Sequence, residues 1–262
     1  MHSKEEKLNA FGRMLDILDI LRVECPWDRK QTNESLRPNT IEEVYELADA
    51  LMSEDTPNIR KELGDVLLHV AFYSKIASEK KLFDIADVCD SLTDKLIFRH
   101  PHIFGDVKAA SAEKVAENWE EIKLKEKGGN KTVLAGVPSA LPALIKANRI
   151  QEKARNVGFD WEEPNQVCDK VKEEISEVET EIKNGNREGM AEEFGDLLFA
   201  VVNAARLYGV DPENALEATN RKFIRRFNFL EERSHQLGKS LKEMTLKEMD
   251  EIWDEAKRAE RQ

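Results

Sequence analysis

Four carboxylates in the second half of the chain stand in a fixed pattern. Glu174 and Glu177 are three apart, and after 15 intervening residues Glu193 and Asp196 are again three apart. Around the first pair, Val171, Ile175, Val178 and Ile182 fall at i, i+4, i+7 and i+11; Met190, Phe194, Leu197 and Val201 repeat that spacing around the second. This is the apolar stripe of an amphipathic helix. Between them, Lys183-Asn184-Gly185-Asn186-Arg187-Glu188-Gly189 is a turn-forming stretch. The expected arrangement is an antiparallel helical hairpin, packed stripe to stripe. At about 100° per residue, each acid pair lies on one flank of its stripe, and in an antiparallel pair the matching flanks meet on the same side. All four carboxylates are therefore expected along one edge.

Like charges at that spacing repel by a few tenths of a kcal/mol per pair in water, and partial burial raises the cost. A cation between the pairs removes it. Carboxylate oxygens without His or Cys suit Mg²⁺ or Mn²⁺, whereas a di-iron bundle would call for Glu-x-x-His pairs. The competing reading of any one pair is a solvated acidic face. Two pairs in phase argue against it, and so does their recurrence.

The recurrence lies 131 residues earlier. Glu43-Val44-Tyr45-Glu46 matches Glu174-Ile175-Ser176-Glu177, and Glu62-Leu63-Gly64-Asp65 matches Glu193-Phe194-Gly195-Asp196. Val44, Leu47, Leu51 and Ile59, Leu63, Val66, Val70 form the corresponding stripes, and Glu42 and Glu173 precede each set. A repeat this long is a duplicated domain, since solenoid units run about 20–50 residues. The boundary falls in the Gly- and Pro-bearing stretch Lys125–Pro142. The expected organisation is an N-terminal helical repeat over 1–126, a linker over 127–142 and a C-terminal repeat over 143–262. Gly64 and Gly195 sit inside their helices, at about 1 kcal/mol each relative to Ala, which predicts close approach by another helix or a ligand.

Several cations and polar groups accompany the acids. Lys170 lies one turn before Glu174 on the same flank, and Asn203 two turns after Asp196; the first repeat has Asn39 and Phe72 there. Lys or Asn at such places could hold a phosphate or a water. Lys222 and Arg226 share a helix face, as do Trp253 and Lys257, and Lys95/Arg99 and Trp119/Lys123 mirror them. Acids for a metal, cations for leftover charge and Trp for a ring face make the composition of a polyphosphate site.

Composition narrows the classes. Charged residues make up 35% and hydrophobic ones 40% of the 262 residues, and acids outnumber bases 52 to 40 for a net charge of −12. The charge suits exposed helices and argues against a nucleic-acid partner. Cys25, Cys89 and Cys168 have no CxxC spacing and are expected to be buried, reduced thiols. No apolar run reaches the ~18 residues of a membrane span, so no membrane partner is expected and the predicted compartment is cytoplasmic. There is no Walker loop, nucleophile elbow or dinucleotide fingerprint.

The Glu-Glu-x-x-Glu and Glu-x-x-Asp blocks, with Cys-Pro-Trp-Asp at 25–28, Arg-His-Pro-His-Ile-Phe at 99–104 and Asn-Val-Gly-Phe-Asp-Trp at 156–161, resemble the MazG family of all-α nucleotide pyrophosphohydrolases over nearly the whole chain. The resemblance implies an all-α fold in which the helical hairpins join four-helix bundles on dimerisation. It implies Mg²⁺-dependent hydrolysis of nucleoside triphosphates to monophosphate and pyrophosphate, with broad base tolerance and a role in nucleotide-pool cleansing. It further implies that Glu174, Glu177, Glu193 and Asp196 hold metal, and that Lys170, Lys222, Arg226 and Trp253 contact nucleotide, with Lys257 beside them; Asn203 joins these substrate contacts by its place on the acid flank. Glu43, Glu46, Glu62 and Asp65 are the N-terminal counterparts, in a repeat that departs at Asn39 and Phe72. Two alternatives stay open: a helical nucleotide-sensing module with little turnover, and a narrow-specificity relative such as a dUTPase or phosphoribosyl-ATP hydrolase.

Overall fold

The structure, a computed structural model, describes residues 1–105, 122, 132–161 and 163–260. Among them every regular element is helical. The chain divides into two compact units, residues 1–109 and 110–262.

In the first unit, α1 (Lys4–Glu24) starts at a capping box in which Ser3 and Glu6 satisfy each other's backbone N–H. A short 3₁₀ turn, Asp28–Lys30, leads to α2 (Asn33–Met52), capped by Thr32. Asp55 caps α3 (Thr56–Glu79), and α4 (Ile85–Arg99) and α5 (Pro101–Phe104) follow. The connection between α2 and α3 is three residues, so the two helices run antiparallel and pack along their length. The core forms where α1 closes one end of this hairpin, from Leu18, Leu36, Ala71, Phe72 and Ile76.

In the second unit, α6 (Ala143–Arg155) is followed by α7 (Pro164–Asn184) and α8 (Arg187–Leu207). The predicted seven-residue turn is tighter than expected. Helix continues through Asn184, Gly185 closes it in the left-handed region at φ 66°, and Asn186 caps α8 by accepting from the Gly189 N–H. Gly at that position carries no Cβ penalty, which is why the stop is sharp. Then come α9 (Pro212–Gln236) and α10 (Leu246–Ala259), capped by Asp211 and Thr245. Leu230, Met244 and Ile252 knit α9 to α10, while α6 packs on α8 and α9.

The hairpins do not bury their stripes as fully as the spacing predicts. In α7 Val178 is buried, yet Ile175 and Ile182 are exposed; in α8, Phe194 is 47% and Val201 46% exposed. In the first repeat Val44, Leu51, Leu63 and Val70 are likewise exposed. Two helices offer each other a narrow seam, so among the described residues of each unit the rest of each stripe is left open. Gly64 and Gly195 show the same gap: among the described residues a Cβ at either would meet nothing within 4 Å. The close neighbour expected there is not supplied by the packing of the unit.

Candidate active site

In the second unit, α7 and α8 bring Glu174, Glu177 and Glu193 together, with one carboxylate oxygen from each within 4.8 Å of the others. Glu174 is 5% exposed, while Glu177 lies at the surface. Desolvation and the adjoining Glu174 push the Glu177 carboxyl above its ordinary range, and desolvation with Glu177 and Asp196 does the same to Glu193. These are the signs of negative charge gathered without enough cation. Asp196 does not join the tight group. It stands close enough to raise Glu193 and lines the cavity beside Glu174.

Lys170, one turn before Glu174, places its Nζ 2.8 Å from Glu174 and 2.9 Å from Glu173. Glu173 thus meets the site through this lysine, and its charge also helps to raise Glu177. The bonds to Glu174 and Glu173 hold the Lys170 ammonium well above its ordinary pKa, so it stays charged.

Behind the acids lies a cavity of about 620 Å³. Its polar lining includes Lys170, Glu174, Asp196, Asn203, Asp160 and Arg206, and much of its apolar wall is Phe159, Trp161, Phe199 and Ala200. Acids at one end and aromatic walls elsewhere suit a ligand with a charged head and a flat apolar body. Gln151 also lines it, buried, donating from Nε2 to the Phe199 carbonyl at 2.8 Å.

Spacing singles out neither Arg206 nor Gln151, and Asp160 stands in the 156–161 block without an assigned role. A signal existed for one of them: Arg206 is the lone charge in the run from Leu197 to Leu207, which calls for a buried partner.

The second pair of predicted contacts forms its own group. Arg226 on α9 lies with its guanidinium 5.9 Å from the Trp253 ring of α10, and Phe223 packs on the same indole at 5.1 Å. Arg226 is tied to Glu260 at 2.7 Å, and Lys257 to Asp254 at 2.9 Å. The two sequence pairs are thus brought together across α9 and α10. None of Lys222, Arg226, Trp253 and Lys257 lines the cavity.

The first unit repeats the acid group with differences. Glu43, Glu62 and Asp65 gather, and Glu46 is the member left out. Lys61 sits among them, 2.8 Å from Glu62, 3.7 Å from Asp65 and 3.8 Å from Glu46. Desolvation, then Asp65, Glu46 and Glu62, push Glu43 upward. Glu62 is 5% exposed, and its second oxygen is buried without a hydrogen-bond partner among the described residues. Phe72, at the place of Asn203, is packed into the core, so the Asn203 amide has no equivalent at that position. Trp119 and Lys123 lie outside the described residues.

Both groups fit a hard divalent cation. Every donor is a carboxylate oxygen, the charges are in excess, and one buried oxygen in the first unit lacks a partner. The cysteines are free as expected, but not buried: Cys89 is exposed and the other two are intermediate. No described helix is long and apolar enough to cross a membrane.

Residues 31–104 and 162–229 each match the MazG nucleotide pyrophosphohydrolase domain. The chain is 45% identical over 250 residues to the nucleoside triphosphate pyrophosphohydrolase/pyrophosphatase MazG of Thermotoga maritima, covering 94% of this chain and 95% of the relative. It is 42% identical over 260 residues to the nucleoside triphosphate pyrophosphohydrolase of Escherichia coli K12, covering 97% and 99%. The two acid hairpins at one offset and this near full-length similarity establish the chain as a tandem-repeat member of the MazG family.

Proposed function

We propose that the chain hydrolyses nucleoside triphosphates between the α- and β-phosphates, releasing nucleoside monophosphate and pyrophosphate, in the service of nucleotide-pool cleansing in the cytoplasm. The observation that carries this reading is the meeting of Glu174, Glu177 and Glu193, whose buried member Glu174 lines a cavity shared with Asp196, Lys170 and three aromatic side chains. Glu174, Glu177, Glu193 and Asp196 would hold Mg²⁺, or Mn²⁺ in its place. A divalent ion there supplies charge neutralisation and polarisation of an attacking water.

The chain's own residues do the rest. Lys170, permanently charged, covers a phosphate oxygen once released from Glu174. Asn203 and the aromatic walls take the nucleoside. Lys222, Arg226, Trp253 and Lys257 act on a second face, where a cation pair and an indole match a polyphosphate and a ring.

A homodimer completes the picture. The open stripes of α7 and α8, with Phe194 and Val201 exposed, match the half of a four-helix bundle that a second copy would cover. The open space at Gly195 fits the same partner helix. We place the repeats at 1–126 and 143–262, with 127–142 linking them.

The test is product analysis with each NTP and Mg²⁺, assaying pyrophosphate and orthophosphate separately. Broad pyrophosphate release supports the reading. Orthophosphate alone, or binding without product, contradicts it, and release from one nucleotide only would indicate a narrow-specificity enzyme.

A further inference from the structure

Arg206 carries a side chain only 7% exposed. Two of its nitrogens grip the Asp160 carboxylate, Nη1 donating to Oδ2 at 3.0 Å and Nη2 to Oδ1. Two also converge on Asn203, with Nε and Nη2 donating to its Oδ1 at 3.1 and 2.7 Å. A guanidinium carries donors only, so the Asn203 atom facing it must be the oxygen. The amide nitrogen is thereby turned away from Arg206, and among the described residues no protein group takes up its N–H donors. Asn203 is half-buried and lines the cavity shared with Lys170, Glu174 and Asp196.

Position decides what those donors meet. Asn203 lies seven residues beyond Asp196 on one helix, about 10 Å along the axis at 1.5 Å per residue. Phosphates held at the acid end leave the nucleoside at that depth. The wall there is aromatic, with Phe199 one turn before Asn203, and Phe159 and Trp161 flanking Asp160.

We infer that Asn203, oriented by the Asp160–Arg206 pair, donates from Nδ2 to an acceptor atom of the substrate's nucleobase. Asp160 and Arg206 are positioning residues: they do not touch the base, but they fix which end of the amide does. Every base offers ring-nitrogen or carbonyl acceptors on its edges, so one rotatable-free donor anchors a base without choosing among them. The contact distinguishes a nucleotide from a phosphate ester that has no base. This inference rests on the nucleotide reading above.

The experiment compares wild type with Asn203→Asp, which keeps the volume and the bond to Arg206 but replaces the donor by a charged acceptor. Two readouts are taken: KM and kcat for pyrophosphate release from each NTP, and Kd for nucleoside monophosphate and for ribose 5-phosphate by calorimetry. The expected result is a KM and a monophosphate Kd raised about tenfold, kcat within about threefold, and an unfolding midpoint held or raised. Ribose 5-phosphate affinity stays unchanged. The double variant Asp160→Asn/Arg206→Met, which frees the amide to rotate, gives a smaller rise in the same direction. Should Asn203→Asp lower the midpoint, Asn203→Ala supplies the deciding Kd. An unchanged monophosphate Kd overturns the inference, as does an equal loss for ribose 5-phosphate, which would put the acceptor on the sugar or phosphate. If wild type releases no pyrophosphate the proposed function fails by itself, and the Kd comparison still decides this inference.

Discussion

The Nζ of Lys170 stands 2.8 Å from Glu174, the most buried member of the acid group, one helical turn away. The pair makes Lys170 an internal counter-ion where a divalent cation is proposed to bind. Cation and lysine compete for Glu174, and a lysine displaced from it is free for phosphate. Replacing Lys170 by Met therefore has two opposed effects: tighter metal binding by the free protein, and a KM for NTP raised about tenfold or more. Mn²⁺ titration followed by steady-state kinetics checks both. A variant with weaker metal binding and unaltered KM would show that Lys170 only buttresses the helix.

Metal should also stabilise the fold in a pH-dependent way. Glu177 and Glu193 have raised pKa values, from desolvation and from each other's neighbours. Their charged forms are disfavoured in the folded state. That penalty is absent below the ordinary carboxylate pKa of about 4.3, grows as pH rises toward the higher folded values, and is fully present above them. Mg²⁺ relieves it only where it exists. At pH 7.5 saturating Mg²⁺ should raise the unfolding midpoint by several degrees, and the rise should dwindle toward pH 4. Calorimetric scans across that range, with Glu174→Gln as the control, measure the difference.

Asp160→Asn should be costly. Arg206 is almost fully enclosed, and without the carboxylate it keeps a buried charge faced only by neutral amide oxygens, with one acceptor lost. Breaking one side of such a pair costs roughly 3 kcal/mol. Burial works against the Asp160 charge, but the bonds from Arg206 prevail and hold its pKa below the ordinary value. Its contribution is present above about pH 3.9 and lost as pH falls through the lower folded value. Denaturant melts should show the gap between variant and wild type at neutral pH and see it close in strong acid.

The acid hairpins were legible because helix periodicity and like-charge cost are both local properties of the sequence. Glu174, Glu177 and Glu193 meet as the spacing implies, while Asp196 and Glu46 stand apart, because helix phase sets a flank but not a rotamer. The apolar stripes are longer than the hairpin seam: Ile175, Phe194 and Val201 remain exposed, since spacing does not tell how many helices share a seam. The Asp160–Arg206 pair joins residues 46 apart, a separation no periodicity reaches. The Arg226–Trp253 contact joins two motifs that were each visible alone, and their meeting needed the α9–α10 packing.

The most direct test of the central claim is a paired comparison of Glu174→Gln and Glu43→Gln, matched substitutions in the two acid groups. Pyrophosphate release from ATP with Mg²⁺ is the readout, with unfolding midpoints checked for both. The account predicts a fall in kcat/KM of at least about a hundredfold for Glu174→Gln and less than about twofold for Glu43→Gln. Equal losses in the two variants, or full activity in Glu174→Gln, would contradict it.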